Sequence, residues 1–358
     1  MVHNFNAGPA ALPTAVLARA QAELTDYRGR GLSILEMSHR SKEYEAVNAA
    51  VEARLRELLG LPANYRVALM QGGASAQFAL LALNLLPAGR SADYLVTGSW
   101  GAKALDEAKI VGTARAAADT GADGCRSLPT AFELDADAAY LHLTTNETIQ
   151  GVQWPAELPA LGPAPLIADM SSDFLSRPFD VTRYAMIYAG AQKNIGPAGV
   201  TAVILRDDLL AAARKDLPVI LRYQTAVKNQ SLYNTPPVYA VYMVGLVLDW
   251  IVEQGGLPAI AALNAAKAAL LYEAIDLSGG FYHGHADAAA RSQMNVTFRL
   301  ADAALEQAFL AGAEAAGMIG LPGHRSVGGI RASIYNAVPL ASVQALAQYM
   351  TEFARSHG

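Results

Sequence analysis

A chain of 358 residues with a formal net charge of −5, 53% hydrophobic and 16% charged, is equipped to bury large apolar cores and has length enough for two domains. This composition excludes a disordered chain and gives no overall basic footprint for nucleic acid. A single cysteine, Cys125, excludes an internal disulfide and a cysteine-based zinc site.

The opening MVHNFNAGPAALP has neither the basic nor the apolar segment of a signal peptide. The longest apolar stretch, 238–252, is interrupted by Asp249 and is shorter than the roughly 20 residues a membrane span needs. A cytoplasmic enzyme without a membrane partner is therefore expected. Residues 1–15, with Gly8-Pro9 and Pro13, read as an extended arm entering a helix over 13–27, where Val16, Leu17, Ala20 and Leu24 recur at helical spacing. A strand-like piece over 33–37 precedes Ser38-His39-Arg40-Ser41, and Ser41 caps a helix over 42–59 that stops before Gly60 and Pro62.

Strand 65–70 runs into Gln71-Gly72-Gly73-Ala74-Ser75 and an apolar helix over 75–86. Strand, glycine turn and helix N-terminus together make a cradle of unpaired N–H groups suited to a phosphate. The same glycines would also serve a plain tight turn, since they match neither the Walker nor the dinucleotide pattern. Strand 92–97 leads through Gly98-Ser99-Trp100-Gly101 to a helix over 100–110, which places the Trp100 indole against either a planar ring or the core. Residues 112–136 are polar and irregular apart from an edge strand near 113–119, and Cys125, with no histidine nearby, reads as a bystander. Strand 140–143 ends in Thr144-Thr145-Asn146-Glu147-Thr148, polar residues that suit ligand contacts or a solvated turn.

The most informative stretch is 165–199. Two apolar runs of strand length, 165–168 and 184–189, end in polar residues: the first at Asp169, the second through Gly190-Ala191-Gln192 at Lys193. A Gly/Pro loop over 194–199 and a strand over 200–205 follow. Ligands of open α/β sheets bind at the carboxyl ends of adjacent strands, so this layout aims a carboxylate and an amine at one molecule. Pyridoxal phosphate requires that pair, a lysine amine for a Schiff base and an anion to keep its pyridine nitrogen protonated. The alternative is a surface lysine and a helix-capping aspartate. The small, uncharged neighbours of Lys193 suit a pocket that depresses an amine pKa.

A helix near 207–215, a loop-rich segment over 216–235 and an apolar helix over 238–253 complete the first part, and Gly255-Gly256 marks a boundary. Beyond it, a helix over 257–275, strands 295–299 and 330–334, and helices near 302–316 and 340–355 give a smaller α+β unit. Its glycine-rich loop carries His324, Arg325 and Arg331. The expected architecture is α/β: a large domain over 16–255, and a small domain made of 256–358 and the arm 1–15.

Several stretches are specific: Asn6-Ala7-Gly8-Pro9-Ala10, Met37-Ser38-His39-Arg40, Asn146-Glu147-Thr148-Ile149, 187–199 around Gln192-Lys193, Asn234-Thr235-Pro236-Pro237 and Gly323-His324-Arg325. Through them nearly the whole chain resembles the class V pyridoxal-phosphate aminotransferases, and within that class the branch acting on phosphoserine. The resemblance implies fold type I, with a mainly parallel seven-stranded sheet, and a homodimer with shared active sites. It implies that Lys193 bonds the cofactor, Asp169 pairs with its ring nitrogen, Trp100 stacks on the ring and Thr148 meets the phenolic oxygen. Ala74, Ser75 and Gln192 would hold the cofactor phosphate, with Asn234 and Thr235 reaching it from the other subunit. Some relatives carry Gly-Arg where this chain has Ala74-Ser75, which leaves the backbone cradle but puts a charged contact in doubt.

For substrates the resemblance implies Arg331 on the α-carboxylate, a task for a planar fork. The pairs His39-Arg40 and His324-Arg325 would hold the far anionic group. It further implies amino transfer from L-glutamate to 3-phosphohydroxypyruvate, giving O-phospho-L-serine and 2-oxoglutarate in serine biosynthesis, and transamination of 4-phosphohydroxythreonine in pyridoxine biosynthesis. A cysteine desulfurase needs a nucleophilic cysteine late in the chain, whereas Cys125 precedes Lys193. A non-catalytic binder would have no use for Lys193, Asp169 and both His-Arg pairs together.

Overall fold

The structure is a computed structural model that describes residues 2–358. Its centre is a seven-stranded sheet in the order Tyr65–Met70, Thr201–Arg206, Met186–Gly190, Leu166–Asp169, Leu141–Thr144, Ser91–Val96, Thr113–Asp119. Thr201–Arg206 runs antiparallel to both its neighbours. The remaining pairings are parallel. Helices cover both faces, so the central strands are buried throughout, which is why they read as continuous apolar runs rather than alternating ones. Thr113–Asp119, at the edge, is partly exposed.

One face packs with Lys42–Leu59 and Val238–Glu253, the other with Gly73–Leu85 and Ser99–Val111. Val238–Glu253 is apolar nearly all round because it lies inside, against Lys42–Leu59 and under Gly256–Asp276. A third core gathers the antiparallel strands His283–Gly284, Asn295–Arg299 and Ile330–Ser333 with helices Gly256–Asp276, Ala303–Ala315 and Leu340–His357. The arm joins it: His3–Asn4 pairs in parallel with Met318–Ile319, and Phe5 is fully buried in that core. Buried Lys267 donates to the carbonyls of Ile334 (2.9 Å), Tyr335 (2.7 Å) and Val338 (3.2 Å), bracing the turn after the strand that carries Arg331.

Local differences from the expected elements have local causes. Residues 33–37 are not a strand but a 3-10 turn, Ile34–Glu36, closed by a capping box in which Leu35 N donates to Ser33 Oγ (3.1 Å) and Ser33 N to Glu36 Oε2 (3.3 Å). The first helix is shorter than expected, Thr14–Ala22. The segment 216–235 contains the short helix Tyr223–Lys228, pinned because the buried Tyr223 hydroxyl donates to Gln77 Oε1 at 2.8 Å. The glycine-turn helix begins at Gly73 rather than 75, which puts Ala74 and Ser75 in its first turn.

Candidate active site

The carboxyl ends of the parallel strands open on one cavity of about 340 Å³, a size suited to a small cofactor. Leu166–Asp169 delivers Asp169, which is 4% exposed and accepts from Ser171 N at 2.8 Å. Burial pushes its carboxyl above the ordinary carboxylate value, and Lys193 and Ser171 pull it back. The turn after Met186–Gly190 delivers Lys193, whose Nζ donates to Thr148 Oγ1 at 2.7 Å and lies 5.7 Å from the Trp100 ring centroid. The Lys193 stem is partly exposed along the cavity, but burial pulls its amine down to about 8, against the opposing charges of Asp169 and Glu147.

That depressed value has a sign that can be read in the cofactor-free protein. The Lys193 amine is neutral, and nucleophilic, above about pH 8 rather than above 10.5. Reductive alkylation of residue 193 is expected to rise with a midpoint near pH 8 while exposed lysines lag. A midpoint near 10.5 would contradict the pocket described here.

The strand Tyr65–Met70 feeds a turn with φ of +93° at Gly72 and +64° at Gly73, a left-handed region that glycine enters without strain. At Gly72 an added Cβ would also lie 2.4 Å from the Ala76 Cβ. This turn aims the first-turn N–H groups of helix Gly73–Leu85, those of Ala74 and Ser75 among them, at the cavity. Gln192 lies beside them. Ser91–Val96 leads to Trp100, half-buried on the cavity wall.

At the mouth, His324 and Arg331 enter from the loop and strand of the third core. Burial lowers the Arg331 guanidinium from its ordinary value. Burial and the Arg331 charge hold His324 below the usual imidazole value.

Ala74, Ser75, Trp100, Thr148, Asp169, Gln192, Lys193, His324 and Arg331 thus line one cavity. His39, Arg40, Asn234, Thr235 and Arg325 lie outside it. Of these, Arg40, Asn234, Thr235 and Arg325 are exposed. Asn234 Nδ2 donates to Gln71 Oε1 at 3.2 Å beside a neighbouring apolar groove. His39 has an Nε2 buried without a partner. Sequence reasoning singled out none of Ala7, Gly8, Ser171 or Ser172 as site residues, yet they also line the cavity, as does Asn146 from the polar cluster after strand 140–143. The two serines follow Asp169 after one residue, Met170, so a cluster of small hydroxyls at a strand's carboxyl end was the signal available for them.

The donor set matches pyridoxal phosphate. It combines an amine and a carboxylate on one cavity with a helix N-terminus for the phosphate. The Trp100 Nε1 and Arg331 Nε are both buried without partners. Buried donors of this kind are costly unless something supplies an acceptor.

The aminotransferase class-V family model matches residues 2–346, and the chain belongs to that family. Its relatives narrow the class. Phosphoserine aminotransferase from Herpetosiphon aurantiacus is 56% identical over 359 residues, covering 100% of this chain and 99% of that protein. The solved phosphoserine aminotransferase of Bacillus circulans subsp. alkalophilus superposes with a TM-score of 0.98 at 56% identity, covering 100% of this chain and 99% of the other. The PLP-bound phosphoserine aminotransferase of Trichomonas vaginalis superposes with a TM-score of 0.93 at 40% identity, over 98% of this chain and 99% of that one.

Proposed function

We propose that this aminotransferase, with pyridoxal phosphate, carries the amino group of L-glutamate to 3-phosphohydroxypyruvate, giving O-phospho-L-serine and 2-oxoglutarate. The observation that carries the reading is the Lys193 amine, held by Thr148 at 2.7 Å, on the same cavity as buried Asp169 and the unpartnered Arg331 Nε. When bound, the cofactor supplies an electron-accepting ring that stabilises negative charge at the substrate's α-carbon.

The chain's own groups supply the rest. Asp169 holds the proton on the ring nitrogen. Lys193 would tether the cofactor through its amine and, when that amine is free, would take the proton off the amino donor's α-carbon and later deliver one to the α-carbon formed from the keto acceptor, a role for which an amine of pKa about 8 is well matched. Thr148 orients that amine and the phenolic oxygen. Trp100 covers one face of the ring, while the Ala74 and Ser75 N–H groups and Gln192 take the phosphate. Arg331 takes the substrate α-carboxylate through its planar fork. His324 and Arg325, with His39 and Arg40, take the far phosphate or carboxylate.

In this reading 16–255 is the cofactor-binding domain, and 256–358 with the arm 1–15 is the smaller one. The enzyme is a homodimer in which Asn234 and Thr235 reach the other subunit's cofactor phosphate. Two features support this. Those residues lie outside their own cavity, and Asn234 borders an apolar groove of about 360 Å³ flanked by exposed Ile220 and Tyr233. Among the described residues no single helix is long and apolar enough to cross a membrane, and we place the enzyme in the cytoplasm. Nothing in the site invites a nucleic acid.

Two experiments test this. A coupled assay of purified protein with glutamate is expected to release 2-oxoglutarate with 3-phosphohydroxypyruvate, and also with 4-phosphohydroxythreonine's keto precursor. No release with either would refute the reading. For shared sites, inactive Lys193→Ala chains mixed in equal amounts with Asn234→Ala/Thr235→Ala chains are expected to recover about a quarter of wild-type activity. Half the dimers would be hybrid, and one of the two sites in each would be intact. No recovery after confirmed subunit exchange would place Asn234 and Thr235 in their own subunit's site.

A further inference from the structure

We propose that Glu147 is a positioning residue, a buried carboxylate that locks the helix carrying Trp100 to the turn carrying Thr148, so that both keep a fixed spacing to Lys193. Glu147 is fully buried. Its Oε2 accepts from Trp100 N at 2.9 Å and its Oε1 from Gly101 N at 2.8 Å, in the first turn of Ser99–Val111. The next residue along its own chain is Thr148, which receives the Lys193 amine.

The chain makes room for this contact. A Cβ at Gly98 would lie 2.5 Å from the Glu147 carboxyl carbon, and one at Gly101 would lie 3.1 Å from its Oε1. Gln150 grips the same helix end, accepting from Ser99 N at 3.2 Å and donating to Ser99 Oγ at 2.8 Å. A helix end is usually capped by a short local Ser, Asp or Asn side chain at little desolvation cost. Here the cap is a whole glutamate from 46 residues away along the chain, and its position ties two walls of the cavity together.

The charge also reaches the site. Burial pushes the Glu147 carboxyl up to about 7, with Asp169 adding to the rise and Lys193 opposing it. Cys125 also feels the Glu147 charge. Lys103, on the capped helix itself, lies 4.4 Å from the Trp100 ring.

Glu147→Gln keeps the size but sets an amide N–H₂ against a backbone N–H. The variant is expected to bind pyridoxal phosphate about tenfold more weakly, the scale of one lost charge-assisted hydrogen bond. In the cofactor-free variant, the midpoint for alkylation of Lys193 is expected to fall below about 8, because the negative charge that holds the ammonium is gone. Gln150→Ala loosens the same helix end by removing neutral bonds only, and is expected to leave the Lys193 midpoint where it is and to weaken cofactor binding less than Glu147→Gln does. Should Glu147→Gln fail to fold, Gly101→Ala displaces the carboxylate at full charge and is expected to weaken cofactor binding on its own. Wild-type affinity in the variant that folds, or equal changes in Gln150→Ala, would overturn the proposal and leave Glu147 an ordinary cap. The inference rests on Trp100 stacking against the cofactor, which Trp100→Ala tests separately. Undiminished cofactor binding in Trp100→Ala removes that premise, whereas weakened binding there with none in Glu147→Gln refutes only the role of Glu147.

Discussion

Lys193→Ala is expected to lower turnover by a factor on the order of 10⁴ or more and to abolish the borohydride-reducible bond between protein and cofactor in the same variant. Two jobs fall to one amine here. In the proposed function it is the cavity's tether for the cofactor aldehyde and its base for the α-carbon proton, and among the described residues no second amine lines the cavity beside Thr148. Lys103 approaches the Trp100 ring, but it is exposed and outside the cavity lining. Because both jobs fail together, an exogenous small amine is expected to restore part of the rate by standing in for the proton carrier. Steady-state assay of the purified variant checks this, and a normal multiple-turnover rate would sink the assignment.

Asp169→Asn is the second large effect, expected at a factor of roughly 10²–10³ in turnover, the scale of removing one preorganised charge from a buried site. The substitution is close to isosteric. The side chain retains an oxygen to accept from Ser171 N, so the local turn survives. What it loses is the anion. A ring nitrogen facing a neutral amide has no reason to stay protonated, and the ring becomes a poorer electron acceptor. Burial already raises the Asp169 carboxyl, and Lys193 and the Ser171 hydrogen bonds offset that rise, so the charge is maintained by these neighbours rather than by water. Thermal unfolding is therefore expected to shift by no more than a few degrees while turnover collapses. A variant with near-normal turnover would show that the ring nitrogen is held by another group.

Much of this site was legible in the chain because the site is local. Asp169 and Lys193 each end a short apolar run, and a polar residue in that position is costly unless something uses it. The same holds for the turn Gly72-Gly73 and for Trp100 at a strand-to-helix junction. Where local chemistry competed, the pattern misled: Ser33 and Glu36 close a capping box around residues that look like a strand. Periodicity also cannot report partners far away in sequence. The short helix Tyr223–Lys228 exists because Tyr223 reaches Gln77. The helix Gly73–Leu85 starts two residues early because the carbonyl of the glycine turn already joins its hydrogen-bond ladder, Ala76 N donating to Gly72 O at 3.2 Å. Glu147 read as one more polar residue in a turn, since its two partners lie on a different strand-helix unit. The positions that a single chain leaves outside the cavity, His39, Arg40, Arg325, Asn234 and Thr235, came from family resemblance rather than from spacing.

The claim beneath all of these is that the cofactor is joined to one particular amine. Borohydride reduction of the pyridoxal-phosphate-loaded protein, followed by proteolysis and mass spectrometry, locates that bond directly. The label is predicted on the peptide containing Ala191-Gln192-Lys193-Asn194 and on no other. A label on Lys103, Lys267 or any other lysine, with residue 193 unmodified, would contradict it.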